Sequence, residues 1–381
     1  MYNDQRQIRF FTNEPERGDI RHTFTTGTPL NQAENSHLRA KEATEPRPFT
    51  QILADQRQWV VDHAPFDTVV KLPLMQFMTI GSEEHEAATG ALVPFKDTSI
   101  VSAHPDQYEL REHALKQLLA RLGYDRKLFD KLAGAGRLLA LDLNYLIQNF
   151  YNETVQLRCM DRNQVRGFLT DSYEPFDNLE LFEAVEPFMA GAETKWDYSD
   201  DEVTHLSVTW PNTTTEIKVG DVVKTGIHIS NSEVGMRSVT IASYVYRLKC
   251  SNGMIGRSGD GGMFRFRHTG DGDNLRNRIK AAIEATYMET TTIIAQFKEA
   301  LNRTINDPAS YLETIAKDKG NSLTQEQYKK MLDSYLIDPE PNLYGVVNAI
   351  TRTAHEHYAG ETRFDMERLG QKVLSQGLSR N

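Results

Sequence analysis

The sequence predicts an α+β protein with a mostly antiparallel sheet, a β-β-β-α core and a helical C-terminal third. Two observations lead to this prediction. Up to about His268, runs such as "VTHLSVTW" and "TTTEIKVGDVVKTGIHIS" alternate apolar and polar residues, which is the period of a half-buried strand. After His268, apolar residues recur every three, four or seven positions, which is the period of an amphipathic helix.

The first 50 residues are polar and rich in Thr, Asn, Glu and Pro, so we predict an extended or disordered N-terminal arm. The runs before and after Pro65 and Pro73 are short, β-branched and aromatic, which favours strands at the edge of a sheet. From Asp106 the period becomes helical, with Leu110 on the apolar stripe and Gly123 as the stop signal.

The middle of the chain predicts a series of paired strands. "VQLRCMDRNQVRGFLT" predicts two strands joined by a turn at residues 161–163, and Asp177 and Asn178 then signal the start of a helix. Gly220 and Asp221 predict another turn. The stretch "GIHISNSEVGMRSVTIASYVYRLKCSNGMI" predicts two further strands with a turn between them and a second turn after them.

The two turns of that stretch are rich in residues with special backbone roles. Asn and Ser side chains can bond to nearby backbone, Gly235 tolerates a positive φ, and Asn-Gly is a strong hairpin signal. These residues either close the hairpins or present polar groups to a partner. We assign the structural-turn role to Asn231, Ser232, Glu233, Gly235, Asn252 and Gly253.

Beyond the strands, apolar positions from Leu275 to Leu301 predict one helix of roughly 30 residues, or about 45 Å. The rest of the chain has a helical pattern, with predicted breaks at Pro308, Gly320, Pro339, Pro341 and Gly360. The predicted organisation is therefore an arm over residues 1–50, an α+β core over 51–304 and a helical region over 305–381.

Length and composition are those of an ordinary globular chain of 381 residues with a net charge of -10. There is no run of about 18 apolar residues, so we expect no membrane partner. Cys159 and Cys250 are the two cysteines, too few for a disulfide framework or a four-ligand zinc site. The start of the chain lacks the apolar core of a signal peptide, and we expect a cytoplasmic protein in a bacterial host cell.

Sequence motifs for catalysis are weak. "GRSGDGGMF" and "HTGDGDNLRNR" are rich in Gly but lack the Lys-Ser/Thr ending of a phosphate-binding loop. "DGD" at residues 271–273 lacks calcium-loop spacing and favours a helix N-cap. His355 and His357 lie two positions apart, so a helix would point them to different faces. Cys250 is interpreted as a small core residue, and we expect no enzyme activity, no cofactor and no metal.

Several segments resemble a known family. They are "VRGFLTDSYEPFDN", "NSEVG", "YRLKCSNGMI" and "LYGVVNAITRTAHEH", within roughly residues 106–357. They are similar to the phage/plasmid-like family called domain of unknown function 932. The resemblance implies a protein of a mobile element, and the family supplies no established catalytic residue.

Charge is distributed unevenly along the chain. Residues 247–280 contain eight basic and three acidic residues, so this segment is +5 and the rest of the chain is -15. In "MFRFRH", Phe264 and Phe266 fall on one face of a strand and Arg265 and Arg267 on the other. The predicted nucleic-acid-binding residues are Arg247, Lys249, Arg257, Arg265, Arg267, Arg276 and Lys280. The alternative is a solvated basic face that pairs with carboxylates elsewhere in the chain.

The order of predicted elements, β-β-β-α, resembles the core of the Redβ/RecT class of single-strand annealing proteins. With the basic segment, it favours a non-enzymatic protein that binds single-stranded DNA, in annealing or recombination, as a homo-oligomer. The alternative function is a protein-interaction factor of a mobile element, acting in counter-defence or phage assembly on a host or phage protein. The overall charge of -10 favours that alternative.

Overall fold

The computed structural model describes residues 7–12, 23–25, 47–80, 107–133, 136–161, 164–256, 263–268, 272–321 and 323–379. The chain divides into two compact units, one within residues 1–38 and 56–173 and the other within residues 39–55 and 174–381. These units do not coincide with the three segments that the sequence predicts. In the described part of the chain, no helix is both long and apolar enough to cross a membrane.

The first unit is built on a seven-stranded mixed sheet. Its strands are β1 (Gln7–Thr12), β2 (Thr23–Thr25), β3 (Phe66–Lys71), β4 (Met75–Ile80), β5 (Gln107–Leu110), β6 (Thr154–Met160) and β7 (Gln164–Thr170). Its helices are α1 (Phe49–His63), which begins in the second unit, α2 (Glu112–Arg121), α3 (Arg126–Ala133) and α4 (Gly136–Phe150). The strand order is β1-β4-β2-β5-β7-β6-β3, and β2 pairs parallel with both β4 and β5.

Local signals in this unit are partly confirmed. Gly123 ends α2 with a φ of 59°, as the stop signal predicts, and β6 pairs antiparallel with β7. The strand predicted before Pro65 is wrong, because Val60 and Val61 belong to α1, whose buried residues recur at helical spacing. Leu110 lies in β5 rather than on the predicted helix, which begins at Glu112. Within the predicted arm, β1 and β2 pair with β4 and β5.

The second unit contains a six-stranded antiparallel sheet followed by the C-terminal helices. Its first elements are α5 (Asn178–Val185), β8 (Glu193–Ser199), β9 (Thr204–Lys218), β10 (Asp221–Asn231), β11 (Val239–Arg247), β12 (Asn252–Ile255) and β13 (Met263–Phe266). The strand order is β12-β11-β10-β9-β8, and β13 pairs with β11 beside β12. On the edge of β11 that faces away from β10, the first half of the strand pairs with β13 and the second half pairs with β12.

The second unit confirms the predicted helical C-terminal third. Its helices are α6 (Gly272–Leu301), α7 (Pro308–Lys317), α8 (Gln325–Ile337), α9 (Leu343–His357) and α10 (Gly360–Ser379). Helix α6 has 30 residues, as the apolar period predicts. Side chains of Asp307 and Asn342 accept hydrogen bonds from backbone N–H groups in the first turns of α7 and α9.

The antiparallel sheet of the second unit has two covered faces. On one face, Ile227, Ile229, Val239 and Ile241 pack in the same core cluster as Leu275 and Ile279 of α6. On the other face, Trp196 and Tyr244 pack with Phe364 of α10. Because side chains alternate along a strand, successive residues of β9, β10 and β11 pack into two different hydrophobic cores, one on each face of the sheet.

The hairpin turn predicted at Asn252–Gly253 is wrong. These two residues lie in β12, which pairs with the end of β11, and the turn covers residues 248–251 instead. Ser251 adopts the left-handed φ, at 51°. Strand β12 adds a fourth strand before α6, so the predicted β-β-β-α core is β-β-β-β-α.

Candidate nucleic-acid interface

Strand β13 has the alternation that "MFRFRH" predicts. Phe266 is buried and Phe264 is half-buried, and both pack with the core cluster that contains Leu275 of α6. Arg265 and Arg267 are exposed, and neither forms an ion pair within the described part of the chain. Arg265 therefore lies on the side of β13 that faces away from α6.

The basic residues of α6 lie on two flanks of that helix. Arg276 Nη2 lies 2.8 Å from Glu180 Oε1 of α5, and Lys280 lines the same groove between α5 and α6. The guanidinium of Arg278 lies 4.8 Å from the ring centre of Phe266, towards β13. Arg276 and Lys280 therefore lie on the side of α6 next to α5, and Arg278 lies on the side next to β13. Arg257 lies outside the described residues.

Arg247 is buried in an ion pair rather than presented to solvent. Its Nε and Nη2 atoms donate to the two carboxylate oxygens of Asp221 at 2.7 and 2.6 Å, and Nη2 also donates to Asp338 at 3.2 Å. Burial opposes the charge of Arg247, but the hydrogen bonds to Asp221 outweigh it and raise the pKa of the guanidinium. A phosphate has no access to a side chain held in this way. We therefore withdraw Arg247 from the predicted DNA-binding set. Lys249 is half-exposed and pairs with Asp338 at 2.9 Å.

The "NSEVG" segment connects strands and helix at a buried corner. Asn231 Nδ2 donates to the backbone oxygen of Phe176 at 2.9 Å and to Asn178 Oδ1 at 3.0 Å. Glu233 Oε1 accepts the backbone N–H of Asn178 at 2.7 Å. Gly235 has a φ of 78°, which confirms the predicted left-handed corner. These polar groups therefore hold the start of α5 instead of facing solvent.

The "SNGM" segment of β12 contacts α9. Asn252 Nδ2 donates to Thr351 Oγ1. A Cβ atom on Gly253 would lie 2.0 Å from the Tyr244 hydroxyl, so only Gly fits beside that ring. The guanidinium of Arg247 lies 5.4 Å from the Tyr344 ring centre. The segments "YRLKCSNGMI" and "LYGVVNAITRTAHEH" therefore contact each other, and "NSEVG" contacts the end of "VRGFLTDSYEPFDN".

A second group of polar residues lies under α10, and the sequence does not predict it. His205, Ser207 and His228 are fully buried on the sheet face opposite α6. His205 Nε2 lies 2.9 Å from Glu361 Oε1, His205 Nδ1 lies 3.4 Å from His228 Nε2, and His228 Nδ1 lies 2.8 Å from Ser207 Oγ. We call these four residues the imidazole chain.

Aromatic rings enclose both imidazoles. The Trp196 ring lies 5.2 Å from the His205 ring and 5.6 Å from the His228 ring. Phe364 of α10 lies 4.9 and 5.1 Å from the same two rings. Among the described residues, no group of three His, Cys, Asp or Glu side chains could hold a metal ion. The two histidines lie within hydrogen-bonding distance of each other.

Comparison with protein families identifies the chain. The model for a domain of unknown function, DUF932, matches residues 166–372, more than half of the 381 residues. The chain belongs to the DUF932 family. Neither the comparison with curated proteins nor that with solved structures finds a match.

The DUF932 match confirms the resemblance seen in the motif segments, and it includes every residue of the imidazole chain. It also includes β13 and most of the basic segment's partners, among them Asp221 and Asp338. Because the family has no assigned function, the chemistry of the site has to be argued from its geometry. The geometry offers two exposed arginines, Arg265 in β13 and Arg267 directly after it, and a largely buried polar chain under α10.

Proposed function

We propose that this DUF932 chain is a non-enzymatic single-stranded DNA-binding protein of a mobile element, acting in annealing or recombination. Arg265 and Arg267 carry the proposal, because both are exposed, one within β13 and one directly after it, and both lack an ion-pair partner within the described residues. Guanidinium groups of this kind bind backbone phosphates without regard to base sequence. We further propose that the protein acts as a homo-oligomer in the cytoplasm of a bacterial host.

The other predicted cations contribute unequally to this proposal. Lys280 is exposed and forms no ion pair in the described part of the chain. Arg276 and Lys249 hold exposed surface pairs with Glu180 and Asp338, and such pairs stabilise a protein weakly, by about 0–1 kcal/mol. A phosphate can therefore compete for these two side chains. The proposed set is Arg265, Arg267 and Lys280, with Arg276 and Lys249 as secondary contacts.

The direct test is fluorescence anisotropy of a labelled single-stranded oligonucleotide at low salt, combined with light scattering of the protein with and without the oligonucleotide. The proposal expects binding to unrelated base sequences with similar affinity, and a mass larger than that of one chain. If the wild-type chain fails to bind at low salt, the DNA proposal is wrong. A duplex bound more tightly than a single strand would also contradict it.

A protein-interaction role is the second candidate, and α4 supports it. Leu138, Leu141 and Tyr145 are exposed at helical spacing on this helix, and Phe150 is exposed at its end. Exposed apolar patches of this kind are frequent at protein interfaces. Leu141→Glu with Tyr145→Glu should abolish binding to a protein partner or to a second copy, whereas Leu336→Glu with Ile337→Glu, the same change at exposed apolar residues of α8, should not. If the Leu141 and Tyr145 variant loses DNA binding and the control variant keeps it, DNA binding depends on the contact that α4 makes.

A further inference from the structure

The imidazole chain connects a partly exposed carboxylate to a buried hydroxyl. Glu361 lies at the start of α10 and keeps 30% of its side-chain surface exposed, while Ser207 lies in β9 with no exposed surface. His205 of β9 and His228 of β10 lie between them, also without exposed surface. The chain therefore joins α10 to two neighbouring strands, and its contacts between His205 and His228 and between His228 and Ser207 are fully buried.

The direction of each hydrogen bond in the chain follows from Glu361. Burial raises the pKa of this carboxyl, but hydrogen bonds from His205 and Arg237 lower it to about 2, so Glu361 is an acceptor. His205 must then donate from Nε2 and accept at Nδ1. His228 donates from Nε2 to His205 Nδ1 and accepts the Ser207 hydroxyl at Nδ1. Both rings are neutral, with the proton on Nε2.

We propose that the imidazole chain is an acid-sensitive latch, which takes up one proton by reversing its hydrogen bonds and releases α10 from the sheet when a second proton arrives. In the singly protonated pair, His205 carries protons on both nitrogens and donates from Nδ1 to His228 Nε2. His228 then carries its one proton on Nδ1 and donates it to Ser207 Oγ. Every contact of the chain still joins a donor to an acceptor.

When a second proton binds, the hydrogen bonds of the chain can no longer all pair a donor with an acceptor. With both rings doubly protonated, His205 Nδ1–H and His228 Nε2–H would face each other across 3.4 Å, and both rings would be charged. Two donors and two positive charges cannot stay in contact in a site closed to water. The nearest way to relieve the repulsion is to separate the strands from α10 and admit water.

The surrounding charges favour a stepwise response. The groups that face the pair are Arg237 from the loop after β10, Asp200 from the turn after β8, Tyr198 of β8, Tyr244 of β11, and Arg363, Asp365, Glu367 and Arg368 of α10. Three of these groups are guanidiniums, and they oppose a charge on His228, whereas Glu361 favours one on His205. The first proton therefore goes to His205 and the second to His228.

The pH range of the latch follows from the direction in which the pKa values of the two histidines are shifted. Burial lowers the pKa of His205 and of His228, so the folded chain binds fewer protons than the unfolded chain below the ordinary pKa of 6.5. The stability contributed by the neutral pair is complete above that pH and is lost as the pH falls below it towards the lowered pKa values of the folded chain. Acid therefore weakens the contact between α10 and the sheet, and alkali does not.

The test is ¹⁵N NMR of the imidazole rings in the full chain, followed from pH 7.5 downwards. We expect Nε2–H signals from both rings at the start, then one step in which His205 becomes charged while the proton of His228 moves to Nδ1. In a second step at lower pH, the amide protection of the first turns of α10 should fall about tenfold for each pH unit. His357→Gln, an exposed histidine of α9, is the matched control and should leave both steps unchanged.

The NMR experiment tests the reversal of the hydrogen bonds and the release of α10 separately. If His228 keeps its proton on Nε2 while His205 ionises, or if the two rings titrate independently, the reversal is wrong. If α10 keeps its protection until the whole chain unfolds, the latch is wrong. These readings come from the wild-type protein, so they do not depend on a variant that folds, and they are independent of whether the chain binds DNA.

Discussion

The carboxylate of Glu233 accepts the backbone N–H of Asn178 at 2.7 Å, across 55 positions of sequence. A buried acidic side chain from the "NSEVG" corner thereby satisfies a backbone donor in the first turn of α5, where donors have no partner within the helix. Glu233→Ala should lower the free energy of unfolding by about 1–3 kcal/mol, because it leaves that N–H buried without an acceptor.

Chemical denaturation measures this change directly, and Glu233→Gln is the matched control. The amide keeps an acceptor oxygen and the shape of the side chain, so its loss should be smaller than that of Ala. Equal losses for the two variants would mean that the contact to Asn178 does not determine the effect.

Gly235 at the same corner has a φ of 78°, which residues with a Cβ atom adopt at a cost. Gly235→Val should therefore lower the free energy of unfolding by about 1 kcal/mol or more. Gly235→Asn should lose less, since Asn enters the left-handed region more readily than a β-branched residue. The midpoint of urea unfolding gives both values, and an unchanged midpoint for Val would contradict the backbone requirement.

The buried pair of Arg247 and Asp221 should behave as a structural unit. Asp221→Ala leaves the guanidinium buried without its main acceptor, so we expect a loss of about 3–5 kcal/mol in the free energy of unfolding. The double variant Arg247→Met with Asp221→Leu removes both charges and should recover much of that loss. Thermal or chemical unfolding measures the cycle. Additive losses in the double variant would show that the two residues do not act as a pair.

Local signals explain why much of the fold is predictable from the sequence. Gly123, Gly220 and Gly235 each mark a turn whose positive φ depends on the residue itself and its neighbours. The breaks of the C-terminal helices and the length of α6 follow from Pro, Gly and the apolar period in the same way. The two-unit division is not predictable in this way, because the chain leaves one unit and returns to the other within α1.

Long-range contacts explain what the sequence does not predict. His205 and Glu361 are 156 positions apart, and the alternating pattern of β9 marks His205 and Ser207 as outward-facing polar residues. They are buried because α10 covers that face of the sheet. Arg247 looks like part of a basic surface for the same reason, since its acceptors Asp221 and Asp338 lie 26 and 91 positions away.

Arg265 and Arg267 should determine the salt dependence of the proposed DNA binding. For single strands, log affinity falls with log salt by about 0.7 for each phosphate neutralised, so four contacts give a slope of roughly -3. Between 50 and 200 mM salt the wild-type chain should then lose about fifty-fold in affinity. Arg265→Glu with Arg267→Glu removes two contacts and should flatten the slope by about 1.4 in fluorescence anisotropy titrations.

The control for this variant is Lys298→Glu with Lys329→Glu, which makes the same change in net charge at exposed lysines of α6 and α8. Neither lysine lies within residues 247–280, so the slope of the control should match that of the wild type. The arginine variant should weaken binding to all base sequences alike, because contacts to the backbone carry no sequence information. If both variants flatten the slope of log affinity against log salt equally, the effect comes from net charge, and Arg265 and Arg267 are not part of the DNA interface.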